Sequence, residues 1–380
     1  MDPEHEQKEE ISAEFALHDA MDCILQYLNT RDLCRAAQVS RAWNEAVKLE
    51  FSRRGPEIVR LPDTYDSRLT NANGPKFFAS NELRSKPEFT LMLCGPTPRT
   101  RIYLNVETSL MTAYKPHLPG RLMIIAVDAA MLDAEEIKSC PRSMSAEFAK
   151  TNGIVAFLLP KFRQVQIKVG FCASHTDRPS KRAKRVVHSI MPDDWNSEST
   201  ILLFGRIYYT IHEHVLSTIK KKFKPNSYTV WGGSTSDYIK IIDCLGDEYP
   251  SYMGMEGCVA INFSGIERHS AVIAMNQRVS GFESDVAEFA KGLKPKLKRC
   301  NKGLICGPRN SVHEHWTRFR EKCNYTIWMN IVKKYFPNVT FMGFFNVSDL
   351  HYIGMNTGQD DADQKMLHEL AVSILILTHD

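Results

Sequence analysis

Long apolar runs are missing from this sequence. A membrane-spanning helix needs about 20 consecutive apolar residues, and the richest stretches, 122–127 and 371–377, are far shorter. A charge excess is missing too, because 48 Lys and Arg residues stand against 44 Asp and Glu residues and leave a net charge of +4. We therefore expect a soluble protein with no membrane partner and no direct nucleic-acid partner.

Signatures of export, metal binding and catalysis are also absent. The 10 cysteines form no CxxC pair, which argues against a metal ribbon, and they are too sparse for a small disulfide scaffold. The acidic first ten residues do not resemble a secretory signal. No GxGxxG, Walker or GxSxG motif occurs. We expect reduced thiols, a cytoplasmic and nuclear location, no metal, no cofactor and no catalytic residue.

The order of sequence patterns predicts the domain organisation. Helical periodicity comes first, a stretch rich in Pro, Gly and Asn follows, and strand-like runs then alternate with helical stretches. This order predicts an α+β, mixed α/β fold. The predicted segments are a flexible tail (1–12), a three-helix unit (13–55), a linker with little regular structure (56–88) and two α/β halves (89–245 and 246–380).

Two patterns add detail to the α/β body. The strand-like runs 258–263 and 271–274 are separated by a short loop containing Gly265, which predicts an antiparallel hairpin. The order strand, Gly turn, helix, loop, strand, Gly occurs in residues 203–232 and again in 305–343. We interpret the recurrence as two related α/β halves, with chance similarity of common strand and loop composition as the alternative.

The N-terminal unit has recognisable helix starts and a single apolar face per helix. In the first helix the apolar residues recur at i, i+3, i+4 and i+7 from Met21, so they share one face. Thr30 is expected to cap the second helix and Ser40 the third. Three such short helices bury too little surface to be stable alone, so the unit is expected to need a partner.

The spacing of apolar residues in these helices resembles the F-box motif, although His18 stands where the motif usually has Pro. The resemblance implies docking on the Skp adaptor of a cullin-scaffolded ubiquitin ligase, with apolar side chains laid against the adaptor's helices. An ordinary three-helix packing unit is the alternative. The residues expected to carry or shape the contact are Leu17, Ile24, Leu25, Leu28, Leu33, Val39 and Trp43.

Part of the body resembles the FIST domain, a family named for F-box and intracellular signal transduction proteins. The resemblance rests on residues 257–265, 269–273 and 335–345. It implies either recognition of target proteins for ubiquitylation or sensing of small ligands. The family often has Gly-Glu where this chain has Ser348-Asp349, which makes a retained small-molecule pocket less expected.

Glycines after apolar strands are weak candidates for a substrate or ligand site. A missing side chain lets the backbone approach a ligand, although turn formation is the commoner explanation. The candidate residues are Gly232, Gly233, Gly343, Phe344 and Phe345.

A short basic cluster, Lys181, Arg182, Lys184 and Arg185, has two interpretations. It is a candidate nuclear-import address, and a solvated loop is the alternative. The His-Glu-His triplets at 212–214 and 313–315 are expected to be solvated helix starts, because His residues two apart on a helix point about 200° away from each other.

These patterns together predict a non-catalytic substrate receptor of an SCF-type (Skp-cullin-F-box) ubiquitin ligase. The three-helix unit would bind the Skp adaptor, and the α/β body would hold a protein substrate, which the sequence does not identify, for ubiquitylation and proteasomal degradation. A small-molecule-sensing body that regulates protein interactions is the alternative. A hydrolase is the weakest hypothesis, because no nucleophile motif is present.

Overall fold

The computed structural model places three N-terminal helices before a body in which three β-sheets surround one apolar core. This arrangement confirms the predicted α+β, mixed α/β class. The structure describes residues 20–61, 87–94, 121–126, 130–132, 154–160, 165–172, 177–194, 197–206, 210–235, 239–243, 257–275, 279–298, 300–308, 324–346, 352–356, 365–368 and 371–379.

The N-terminal helices begin at residues whose side chains accept backbone N–H groups. The first helix, α1, covers the described residues 20–25, and α2 (Thr30–Ala36) and α3 (Arg41–Arg53) follow. The hydroxyl of Ser40 accepts from the backbone N–H of Trp43 at 3.3 Å and caps α3, as predicted. The prediction of Thr30 as the cap of α2 was wrong. Asn29 takes that role, because its shorter path lets its side-chain oxygen accept from the Asp32 N–H at 2.9 Å.

The predicted linker begins with regular structure. Strand β1 (Glu57–Leu61) starts four residues after α3 ends and pairs antiparallel with β5. The expectation of little regular structure from residue 56 was therefore wrong for 57–61. The Pro and Gly residues that suggested a linker all lie further along, outside the described residues.

The body contains 16 described strands. The remaining strands are β2 (Pro87–Cys94), β3 (Arg121–Ala126), β4 (Ala130–Leu132), β5 (Ile154–Pro160), β6 (Gln166–Cys172), β7 (Ser199–Arg206), β8 (Tyr228–Thr235), β9 (Ile239–Asp243), β10 (Cys258–Ser264), β11 (Glu267–Ala274), β12 (Cys300–Pro308), β13 (Thr340–Asn346), β14 (Tyr352–Ile353), β15 (Leu367–His368) and β16 (Ala371–His379).

All three sheets follow one pairing pattern. Sheet A has the order β1-β5-β2-β3-β9, sheet B has β11-β16-β12-β13-β4, and sheet C has β6-β10-β7-β8-β14-β15. In each sheet the third and fourth strands are parallel, and their outer neighbours are antiparallel to them. The body is therefore built from three repeats, which begin at β1, β6 and β11.

Each repeat gives one strand to another repeat's sheet. Strand β4 follows β3 in the chain but pairs with β13 in sheet B, β9 pairs with β3 in sheet A, and β14 pairs with β8 in sheet C. The exchange closes a ring of three repeats. Strand β10 lies after the predicted boundary at 245/246 and pairs with β6 and β7 from before it, so strands of the two predicted halves share a sheet.

The recurrence found in the sequence corresponds to equivalent units in the second and third repeats. Strands β7 and β8 are parallel, and so are β12 and β13. A helix lies between the strands of each pair: α5 (Thr210–Lys222) in the first copy and α7 (Asn324–Tyr335) in the second. Two further helices, α4 (Pro179–Ile190) and α6 (Val279–Leu293), precede β7 and β12. No helix in the described part of the chain is long and apolar enough to cross a membrane.

The predicted hairpin between β10 and β11 does not form. Strand β10 is hydrogen-bonded along its whole length to β6 on one side and β7 on the other, so neither edge is available to β11. The chain turns at Gly265, where φ is 88°, and β11 enters sheet B beside β16. The short spacing therefore marks a crossing between sheets.

Side chains that alternate along the strands fill separate apolar layers. In β7, Leu202 and Phe204 point into the central core, whereas Ile201 and Leu203 point outward against α4 and α5. Sheet B has the same arrangement, with its outer face packed against α6 and α7. In the central core Trp231 and Phe344 meet edge to face, with their ring centroids 5.8 Å apart.

A substitution at Gly343 tests the close approach of β12 and β13. A Cβ added at Gly343 would overlap the carbonyl oxygen of Ile305 on β12, so the strands would have to separate. We expect Gly343→Ala to lower the free energy of unfolding by about 1 to 3 kcal/mol in urea denaturation. Gly292→Ala in α6 is the matched control, since its Cβ would meet nothing within 4 Å. It should stabilise by about 0.5 kcal/mol, and equal effects of the two substitutions would contradict this account.

Candidate functional site

The three N-terminal helices have a small core of their own. Leu25, Leu33 and Val47 are almost completely buried in it, together with two alanines of α2 and α3. Leu28 and Trp43 are partly buried and pack against the same cluster. The core consists only of residues from this unit, so the body does not cover it.

Two of the predicted contact residues point to solvent. Ile24 is 49% exposed and Val39 is 68% exposed. Ile24 leaves the expected buried face because α1 ends at residue 25 and the chain turns over residues 26–28. Val39 lies in the turn between α2 and α3, where its N–H donates to the Ala36 carbonyl at 3.1 Å. Leu17 lies outside the described residues.

Two more exposed apolar residues were absent from the predicted set. Tyr27 is 82% exposed in the turn after α1, and Leu49 is 46% exposed on α3. The spacing of the motif includes position 27, and that signal pointed to Tyr27. Leu49 has no such signal, because only the packed helix shows that Val47 and Glu50 face inward and leave it outside.

A buried guanidinium joins the end of α3 to the end of α1. Arg54 donates to the carboxylate of Glu50 at 2.9 Å and to the carbonyls of Leu25 and Leu28 at 2.9 and 2.6 Å. These carbonyls end the first helix, where a positive charge is favourable. The contacts hold the turn that carries Tyr27 in a fixed position against α3.

The junction between the helices and the body is also buried. Arg54, Gly55 and Pro56 are all buried, and the thiol of Cys300 on β12 lies 3.7 Å from the Pro56 carbonyl oxygen. A Cβ on Gly55 would overlap Cys300, so the chain passes against the body with no side chain between them. The helices are therefore packed onto one end of sheet B, although their exposed apolar residues stay open.

Comparison with known families agrees with the geometry of this unit. Residues 18–53 match the F-box-like family. The chain carries an F-box-like domain. F-box proteins are generally non-catalytic substrate receptors, and the domain supports a role in binding the Skp adaptor of an SCF-type ubiquitin ligase.

Comparisons over the whole chain say little about the body. No curated protein sequence matched significantly. Among solved structures, a cyanuric acid hydrolase from A. caulinodans superposes with a TM-score of 0.38 at 6% identity, covering 86% of this chain and 99% of that one. A likeness this low carries no argument about function.

The predicted ligand residues of the body lie inside it. Gly232 and Gly233 have φ values of 142° and 158°, which side chains rarely adopt, and Gly232 lies opposite Leu203 of the neighbouring strand. Phe344 and Phe345 are fully buried on opposite faces of β13. Close strand packing explains both glycine positions, and a ligand role for these residues stays a prediction.

The charged motifs of the sequence lie on the two helices that cover sheet C. The expectation that both histidines of 212–214 are solvated was wrong for His212, which is fully buried where α5 packs on the sheet, while His214 is exposed. Among the described residues, no group of three His, Cys, Asp or Glu side chains is placed to hold a metal ion.

The basic cluster is helical, which corrects the alternative interpretation as a loop. It lies on α4, where Lys181, Lys184 and Arg185 are exposed and Arg182 is buried. Lys181 and Arg185 both donate to Asp177, and the hydrogen bond from Lys181 helps to lower the pKa of that carboxyl group. A nuclear-import address stays a prediction.

Removal of the buried guanidinium tests how the F-box-like domain is held. We expect Arg54→Ala to destabilise the domain by about 3 to 5 kcal/mol, because it leaves the Glu50 carboxylate buried without its charge partner. The loss should appear as faster hydrogen exchange over residues 20–53. Lys48→Ala, which breaks the exposed pair with Glu45, is the control and should cost less than about 1 kcal/mol. Similar effects in the two variants would show that Arg54 does not hold the turn.

Proposed function

We propose that this chain is a non-catalytic substrate receptor of an SCF-type ubiquitin ligase. The observation that carries the proposal is an F-box-like domain with a closed core and uncovered apolar side chains at Ile24, Tyr27 and Val39. Large apolar groups exposed close together in sequence on a small helical unit favour a protein partner. The partner that the F-box resemblance implies is the Skp adaptor on its cullin scaffold.

The position of the domain supports a receptor role. The buried residues 54–56 pack the helices against the body, so the adaptor and a target on the body would be held at a fixed separation. Tethering raises the effective concentration of a target lysine near the conjugating enzyme, and a short, packed junction keeps that advantage. The chain itself supplies no chemical group to the transfer in this proposal.

The body is proposed to read the target protein, which would then be degraded by the proteasome. Support comes from the resemblance of residues 257–265, 269–273 and 335–345 to the FIST domain. An F-box followed by a FIST domain is also the order found in F-box only protein 22. We propose a cytoplasmic and nuclear location, which fits reduced cysteines and the basic residues exposed on α4.

The other two hypotheses lack a supporting observation. A small-molecule sensor was motivated by Gly232 and Gly343, and both glycines are needed where neighbouring strands approach closely. For a hydrolase, the place where the three sheets meet would be a natural site. In the described part of the chain it is filled by packed apolar side chains around Trp231 and Phe344.

Charged substitutions at the exposed positions test adaptor binding. We expect Ile24→Glu and Val39→Glu each to weaken binding of purified Skp adaptor by at least about tenfold, because burial of a large aliphatic side chain contributes about 1.5 to 3 kcal/mol. Binding is measured by isothermal titration or surface plasmon resonance on the full chain. Both side chains are exposed, so the fold should be unchanged by circular dichroism.

The control for this experiment is Leu49→Glu. Leu49 resembles Ile24 in size and exposure but lies on α3, outside the predicted contact set. It should leave the affinity within about threefold, a change of under 1 kcal/mol. Full adaptor affinity of the Ile24→Glu, Val39→Glu double variant would refute the receptor function. A substitution at Leu25 would not serve, since that side chain is buried and its loss would unfold the domain.

A further inference from the structure

Two free cysteines face each other across neighbouring strands of sheet C. Strands β6 and β10 are antiparallel, and Cys172 is the direct cross-strand partner of Cys258. Both are free thiols and both are buried. They are distant in sequence, and only the pairing of β6 with β10 brings them together.

The geometry of the pair meets the requirements of a disulfide. Directly opposed residues project from the same face of a sheet, and both thiols belong to the apolar layer under α4 and α5. Opposed residues in antiparallel strands have Cα atoms about 4.5 to 5.5 Å apart. Disulfides span Cα separations of about 4.4 to 6.8 Å. The bond can therefore form without movement of either strand.

The surroundings of Cys258 leave no space for a large adduct. Its partner on the other side is Gly205, and the imidazole of His212 fills the position that a side chain at Gly205 would need. Arg182, also buried, lies close enough to act on the Cys258 thiol electrostatically. With Cys172 on one side and His212 on the other, only a small oxidant could lead to reaction here.

We propose that Cys172 and Cys258 form a reversible thiol oxidation site whose reactant is a small peroxide. The sulfur of Cys172 attacks one peroxide oxygen, the O–O bond breaks, and the leaving hydroxide takes the thiol proton to become water. The product is a sulfenic acid on Cys172. The sulfur of Cys258 then attacks Cys172, the S–O bond breaks as the S–S bond forms, and a second water leaves with the Cys258 proton. Two electrons pass from the thiols to the peroxide.

The order of the two steps follows from access and charge. Cys172 retains 7% exposure at the end of an edge strand, whereas Cys258 has none. Burial raises the pKa of the Cys258 thiol, the neighbouring Cys172 raises it further, and Arg182 opposes both. Cys258 therefore stays protonated and unreactive until an oxidised sulfur lies beside it, so it acts as the resolving thiol.

The disulfide would fix the edge of sheet C. In the described residues β6 pairs only with β10, and α4 packs over both strands. A covalent link between the strands would prevent β6 from separating while it is oxidised. The oxidised protein should therefore have a higher thermal midpoint than the reduced protein, and a thiol reductant should reverse the increase.

The test treats the folded full chain with hydrogen peroxide in a Cys23→Ser, Cys34→Ser background, which removes two exposed thiols of the F-box-like domain. Non-reducing peptide mapping should find the peptides of Cys172 and Cys258 linked, with the loss of two hydrogen atoms, and dithiothreitol should separate them. The link should disappear in Cys172→Ser, while Cys306→Ser, which removes another buried thiol, should retain it.

The result that would overturn the proposal is clearly distinguishable. Unlinked Cys172 and Cys258 after peroxide treatment, or Cys172 oxidised to a sulfinic acid without a link, would show that the second thiol does not resolve the first. A link that forms only in denaturant would also refute it, because the native register would then play no part. If Cys172→Ser does not fold, peptide mapping of the Cys23→Ser, Cys34→Ser protein still decides the question.

Discussion

The body depends on the burial of three sheet faces in a single apolar core. No sheet is completed by one repeat, because β4, β9 and β14 each leave their own repeat for a neighbouring sheet. A repeat on its own would therefore lose an edge strand and expose the inner face that Phe204, Trp231 and Phe344 cover together. Apolar burial is the main favourable contribution to folding, so the exchange makes the three repeats one cooperative unit.

This constraint also places the F-box-like domain. Its last helix leads through three buried residues into β1, the first strand of the ring, and the junction touches Cys300 of the third repeat. The domain is consequently attached to two repeats at once. Its own core is small and closed, and Arg54 fixes the turn at which the exposed apolar side chains begin. A surface that is both apolar and immobile binds a partner with less loss of conformational entropy than a mobile one.

The glycines of the body show how one sequence feature can have two physical explanations. Gly232 and Gly343 occupy equivalent positions in the second and third repeats, opposite Leu203 and Ile305. A ligand and a neighbouring strand both require the absence of a side chain. The sequence could not separate these explanations, because the separation depends on the distance to a residue far away in the chain. The same holds for β10 and β11, whose short loop suits a hairpin and equally a crossing between sheets.

The sequence by itself determined the helices, most strands and the F-box-like unit, because periodicity and capping are local properties that each segment carries alone. It also indicated the equivalence of β7-α5-β8 and β12-α7-β13. Only the tertiary structure decided which residues of that unit stay exposed, that Ile24 faces solvent while Leu25 does not, and that the repeats number three and exchange strands. The pairing of Cys172 with Cys258 belongs to the same class. These features arise from contacts between distant segments, whose free energy no local pattern records.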